Sequence, residues 1–181
     1  MTVKQSDMRE DYSDVLISDF ADPVFQAAFR QYFAEIGINV KDWDGLFQEM
    51  NRGDDGEKNA AYVRLSADGD VIGFLLFIPI RFTSWFFEET CGFIREFWVA
   101  DEFRGQGHGS ALIALAERYF LERGIATSIL TTDTAGRFYE RHGYGKAAGC
   151  GAKNKDEVFV KRLKKGSKPK RREWNEAQLQ A

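Results

Sequence analysis

The sequence predicts a single α/β domain, and three observations carry that expectation. Apolar residues recur at helical spacing in the first third, then switch to strand-like runs in the middle, and the chain finishes strand–helix–strand–helix–strand. A length of 181 residues with 44% hydrophobic and 29% charged side chains supports one compact core rather than several. Two cysteines, Cys91 and Cys150, and two histidines, His108 and His142, supply neither a disulfide framework nor zinc-ligand spacing, so the core must hold itself together by packing. The domain is expected to run over residues 1–163, followed by a basic tail at 164–181.

Each element has a local reason. Asp22-Pro23 reads as an N-cap followed by proline at the first helical position, and Phe25, Phe29, Phe33 and Ile36 continue at helical spacing to Gly37. A shorter helix from Asp42 to Met50 places Trp43, Leu46, Phe47 and Met50 on one face, and the turn-forming run from Asn51 to Gly56 closes it. Ala60–Leu65 and Asp70–Phe82 flank Ala67-Asp68-Gly69-Asp70, a hairpin signal, while Pro79 marks an edge, a bulge or the end of pairing. Gly92–Val99 reads as a strand, and Ser110–Arg123 as a helix stopped by Gly124. A strand at Ala126–Thr131, a short helix at Thr134–Arg141 ending at Gly143, and a last strand at Glu157–Leu163 complete the series.

The formal charge of −3 conceals an asymmetry. Residues 161–181 carry eight Lys/Arg against two acids, which leaves 17 basic and 26 acidic residues elsewhere, a net −9. Such a body disfavours a nucleic-acid surface and draws cationic ligands, although it is also ordinary solubility charge. The first residues show no basic stretch followed by an apolar run, and Gly73 and Pro79 break the most apolar segment, so the chain is expected to be cytoplasmic, with no membrane partner.

The informative stretch is Arg104-Gly105-Gln106-Gly107-His108-Gly109-Ser110, between an expected strand and an expected helix. Glycines at alternate positions allow positive φ and bring amide N–H groups close to a ligand, and the helix opening directly afterwards adds unpaired N–H groups and its dipole. The product is an anion site suited to phosphate, to which Arg104 adds a charge. A plain connecting turn is one alternative. A Rossmann fingerprint is another, but it belongs on a first βα turn, and here two helices and a hairpin come first. A Walker A loop is excluded, because no Gly-Lys-Ser/Thr occurs in the stretch.

In this context the loop resembles motif A of the GCN5-related N-acetyltransferase (GNAT) superfamily, with its Arg/Gln-x-x-Gly-x-Gly/Ala pattern. FWVADEFRGQGHGSALI is similar to the family's strand, acidic turn, loop and helix, and TTDTAGRFYERHGYGK to its later strand and tyrosine-bearing helix. The resemblance covers about residues 60–163. It implies a mixed, mostly antiparallel central sheet with helices on both faces and a splayed central strand pair.

The resemblance also implies an acetyl-CoA site. The loop amides of Gly105, Gln106, Gly107, His108, Gly109 and Ser110 would hold the pyrophosphate beside Arg104, and the backbone of Phe97, Trp98 and Val99 would pair with the pantetheine arm. Tyr139 aligns with the family's general acid, and Glu96 stands where relatives often keep a base, with Arg95 expected on the opposite strand face. His108 is expected to give its backbone amide rather than its imidazole, and His142 is read as structural. Asp133 and Thr132 stand where the family often has an asparagine. Glu88 and Glu89 are secondary candidates for a cationic acceptor, and Trp85-Phe86-Phe87 for a pocket wall, a dimer contact or core packing. The expected activity is direct transfer of acetyl to a primary amine, of a small molecule or a protein, without a metal. A non-catalytic acyl-CoA-binding module is the rival, and a homodimer is compatible with the aromatic run.

Overall fold

The computed structural model of the chain describes residues 12–54 and 56–164. Its elements run β1 (Ser13–Ile17), α1 (Pro23–Glu35), α2 (Trp43–Arg52), β2 (Ala60–Leu65), β3 (Val71–Thr83), β4 (Glu88–Val99), a 3-10 turn (Asp101–Phe103), α3 (His108–Glu122), β5 (Thr127–Thr132), α4 (Gly136–Arg141), β6 (Gly145–Lys146) and β7 (Glu157–Arg162). Residues 1–11 and, apart from Lys164, the expected basic tail lie outside the described residues.

All seven strands form one sheet in the order β1-β2-β3-β4-β5-β7-β6, antiparallel throughout except for the pair β4–β5. The mixed α/β class is therefore as expected. The helical first third needs a correction, because β1 precedes α1 as an edge strand. Four of its five residues are exposed, so no alternating pattern announces it, and a bidentate contact from Arg64 to Asp14 fastens it to β2.

Helices cover both faces. Alternation along β3 sends Leu75 and Phe77 to a core shared with Leu112, Ala116 and Phe120 of α3, and Phe74 and Leu76 to a second core with Phe25 and Phe29 of α1 and Phe47 of α2. Asp22 caps α1 by accepting from the N–H groups of Val24 and Phe25 at 2.9 and 3.0 Å. Each buried phenylalanine contributes about 1.5–3 kcal/mol relative to exposure.

Two irregularities place the functional region. Leu76 faces Glu96, whereas Phe77 faces Ile94, so Arg95 is an extra residue in β4. This bulge shifts the phase of the strand: Ile94 packs on the α3 side, but Trp98, four residues on, packs on the α1 side. The second irregularity is the parallel pair itself, which holds only from Gly92 to Ile94 against Ser128 to Leu130. Beyond it β4 and β5 diverge, and a V-shaped slot opens between their C-terminal ends. Pro79 lies two residues past Phe77, the last β3 residue with a partner on β2, where that flank no longer needs a donor.

Candidate active site

The slot opens into a cavity of about 1140 Å³ bounded by α1, the end of β4, the glycine loop, the start of α3 and α4. Among the expected site residues, Glu96, Phe97, Trp98, Val99, Arg104, Gly105, Gly107, Gly109, Ser110 and Tyr139 line it, while Gln106 and His108 do not.

The loop derives its shape from glycine. Gly105 and Gly107 have φ of 76° and 89°, and a Cβ at either would meet nothing within 4 Å, so conformation rather than space requires glycine there. Gly107 is also the N-cap of α3, and no side chain caps this end, which leaves its first amides without helical carbonyls and directs the positive end of a 15-residue helix at the cavity. Gly109 meets a different demand: its Cβ would come within 3.2 Å of the Phe97 ring. The Gln106 side chain turns back to the Glu102 carbonyl at 2.8 Å. His108 is buried, edge-on to Tyr12 at 4.7 Å and to Phe103 at 6.0 Å, so its imidazole faces the interior. The Arg104 guanidinium pairs with Asp101, lies 3.9 Å from Glu35, and donates from Nε to the Val99 carbonyl at 2.8 Å.

The end of β4 leaves one flank available. Ala100 donates its N–H to Ile72 on β3, so Val99, one residue out of phase, turns its N–H and carbonyl toward the slot. Trp98 sends its indole toward α1, where Nε1 donates to Glu35 at 2.7 Å.

Two titratable groups converge from opposite walls. Tyr139 on α4 is only 5% exposed, and burial, reinforced by the negative charge of Glu96, holds its phenol above the usual tyrosine range. Among the described residues its hydroxyl has no hydrogen-bond partner. The Glu96 carboxyl is raised chiefly by burial, with a hydrogen bond from Tyr32 and the Arg95 charge pulling it back. Tyr32 is a residue that the sequence reading missed. It stands on α1, 64 positions from Glu96, and donates its hydroxyl to Glu96 Oε2 at 2.7 Å. Its own phenol is raised by burial and by Glu96.

Arg95 is not on the opposite face. The bulge breaks strict alternation, and Arg95 reaches the α2 side by donating to Asn59, while also lining the cavity. His142 ties the walls together: Nδ1 lies 2.8 Å from the Phe138 carbonyl, which fixes a proton there, and Nε2 lies 2.9 Å from Ser110 Oγ. Thr132 accepts from the Ala135 amide, and Thr132 and Asp133 both line the cavity. Glu88 and Glu89 lie elsewhere, beside a second cavity of about 490 Å³, with Glu89 held by Thr127 and Arg162. Trp85 and Phe86, 96% and 98% exposed at the β3–β4 hairpin tip, take no part in core packing or in either cavity. Cys91 is buried and its thiol raised, while Cys150 is exposed and free. Among the described residues no side-chain cluster has the makings of a metal site, and no helix is long and apolar enough to cross a membrane.

An open mixed sheet, split at its one parallel pair and carrying an uncapped helix beside the split, is the architecture of an acyl-group transferase fold. The chain belongs to the acetyltransferase (GNAT) family, whose model matches residues 15–144. Solved structures share the fold. Arabidopsis thaliana NAA60, crystallised with acetyl-CoA, aligns with a TM-score of 0.61 at 16% identity, over 84% of this chain and 99% of that one. A GNAT-family acetyltransferase from Staphylococcus aureus aligns with a TM-score of 0.60 at 12% identity, over 84% and 100%. No curated protein is detectably similar to the chain.

Proposed function

We propose that this protein is an acetyl-CoA-dependent N-acetyltransferase that moves acetyl to a primary amine by direct attack in a ternary complex. The observation that carries the reading is the meeting of three features at one slot: the uncapped glycine loop, the free flank of β4, and Glu96 and Tyr139 on facing walls. The fit to acetyl-CoA is physical. Amides from Gly105 to Ser110 suit a pyrophosphate, and the flank exposed at Val99 suits an extended amide-bearing arm. Arg104, now committed to Asp101 and Val99, would exchange those contacts for phosphate.

The thioester supplies an acyl carbon already activated toward amines. Glu96 takes the proton of the attacking amine, directly or through a water, as the N–C bond forms. The Val99 N–H steadies the negative charge on the acetyl oxygen. Tyr139, kept protonated by burial, gives its proton to the departing sulfur as the C–S bond breaks, and regains one from solvent. The reading extends to a cytoplasmic setting, in keeping with an exposed free Cys150, and to self-association through the aromatic hairpin tip.

Calorimetry with acetyl-CoA, coupled to a thiol-release assay on a panel of amines, tests the proposal. Micromolar binding abolished by Gly107→Trp, together with amine-dependent thiol release, is the expected result. Tight binding with no release from any amine, and a silent Tyr139→Phe, would return the protein to a non-catalytic binding role.

A further inference from the structure

The acceptor side of the slot has a polarity that total charge does not convey. Arg95 and Glu96 are chain neighbours of opposite sign that line the same cavity. Neighbouring opposite charges pair readily, yet these do not. Among the described residues Arg95 forms no ion pair at all. The reason lies in their anchors. Tyr32 on α1 holds the carboxylate, while Asn59 holds the guanidinium, its Oδ1 accepting from Arg95 Nη1 at 2.9 Å.

Asn59 is itself a built support. It is 2% exposed, and its Nδ2 donates to the Met50 carbonyl at the end of α2 at 2.8 Å, which fixes the amide with its oxygen toward Arg95. A buried amide thus positions a cation whose partner is neutral, and one N–H of the guanidinium is used where five are available. Of the other acids around the same cavity, Glu35 is engaged by Trp98, Asp101 by Arg104 and Asp156 by Asn154, while Asp133 has no side-chain hydrogen bond or ion pair among the described residues.

We propose that the acceptor is an amino-carboxylate, a small molecule bearing a carboxylate close to its amine, as a free amino acid does. Its amine meets Glu96 and its carboxylate takes the open fork of Arg95. This inference rests on the transferase reading above and names its substrate class. It also separates the acceptor from a polyamine, which the acidic composition alone would favour and which has no carboxylate to offer Arg95.

The test compares free L-amino acids, each beside its α-carboxamide and its decarboxylated amine. Thiol release and calorimetric binding to the CoA-loaded protein are both read, with wild type, Arg95→Gln and Arg95→Lys. Free acids should exceed their carboxamides by about tenfold or more in kcat/KM and in affinity. Arg95→Gln should erase that margin by raising KM for the acids, with KM for acetyl-CoA and for the carboxamides unchanged. Arg95→Lys should recover part of it. Equal use of acids and carboxamides by the wild type, or an equal loss of both in Arg95→Gln on the pH-independent plateau where Glu96 is ionised in either protein, would overturn the proposal while leaving the transferase reading intact. Acids that bind through Arg95 without any thiol release would uphold the site and refute the transfer.

Discussion

Glu96 is caught between burial, which raises its carboxyl, and two neighbours, Tyr32 and Arg95, which lower it. In the proposed role of base Glu96 must be ionised, so the acidic limb of the kcat/KM profile should lie above the ordinary carboxylate range. Tyr32→Phe removes a lowering contact and should move that limb further up, a shift that a merely structural tyrosine would not produce. The same burial sets a stability trend. A folded-state pKa above the unfolded value gives a contribution fully present below the unfolded pKa and lost as pH rises through the folded one. Glu96→Gln should therefore match the wild type in Tm at acid pH and exceed it at pH 8, while kcat falls by roughly 10²–10⁴. Thermal melts at both pH values, beside the rate, check this. Tyr139→Phe should cost a similar factor in kcat without changing acetyl-CoA affinity. That Glu96, Tyr139 and the glycine loop gather around one cavity was legible because they sit in contiguous motifs. Tyr32 was not, since only the folded chain brings α1 over β4, and the face of Arg95 was misread because alternation assumes a regular strand.

Among elements, β4 carries the most information. Its bulge assigns Ile94 to one core and Trp98 to the other, so deleting Arg95 would close the bulge while leaving Ile94 opposite Phe77 and Glu96 opposite Leu76, each on its present face. That deletion should therefore keep cooperative unfolding by circular dichroism, as should Arg95→Gln. Where β4 crosses α3, a Cβ on Gly92 would lie 2.4 Å from the Phe120 ring, so Gly92→Ala should destabilise by about 1–3 kcal/mol in urea titrations. Helices and the first hairpin were readable from local chemistry: the Asp22 cap, the Asp68-Gly69 turn with Gly69 at φ 88°, and the glycine stops. A short edge strand such as β1 has no comparable signal, because one flank and most of its side chains face water. A bulge is likewise invisible, being a relation between two strands rather than a property of one.

For the whole molecule, one sheet serves two cores, and neither helical layer can leave without exposing strands that the other also needs. Phe25→Ala on one face and Phe120→Ala on the other should each cost about 3–5 kcal/mol, and both should lower the midpoint of a single transition. Separate transitions in either variant would show that the layers melt independently. The sheet's strand order and its one parallel pair depend on pairings distant in sequence and were not legible; family resemblance gave only a mixed, mostly antiparallel sheet with a splayed central pair. The β3–β4 hairpin adds a different consequence. Its tip presents Trp85 and Phe86 almost wholly to solvent, at the end of a ribbon that outruns its neighbours on both flanks. Chymotrypsin cleaves beside such aromatic residues, so brief digestion should nick the chain there into two fragments that stay together on a sizing column, because the ladder between Gly73 and Val99 persists below the cut. A molecule divisible in this way can be expressed as two halves whose reassembly reports, by itself, that the central sheet has formed.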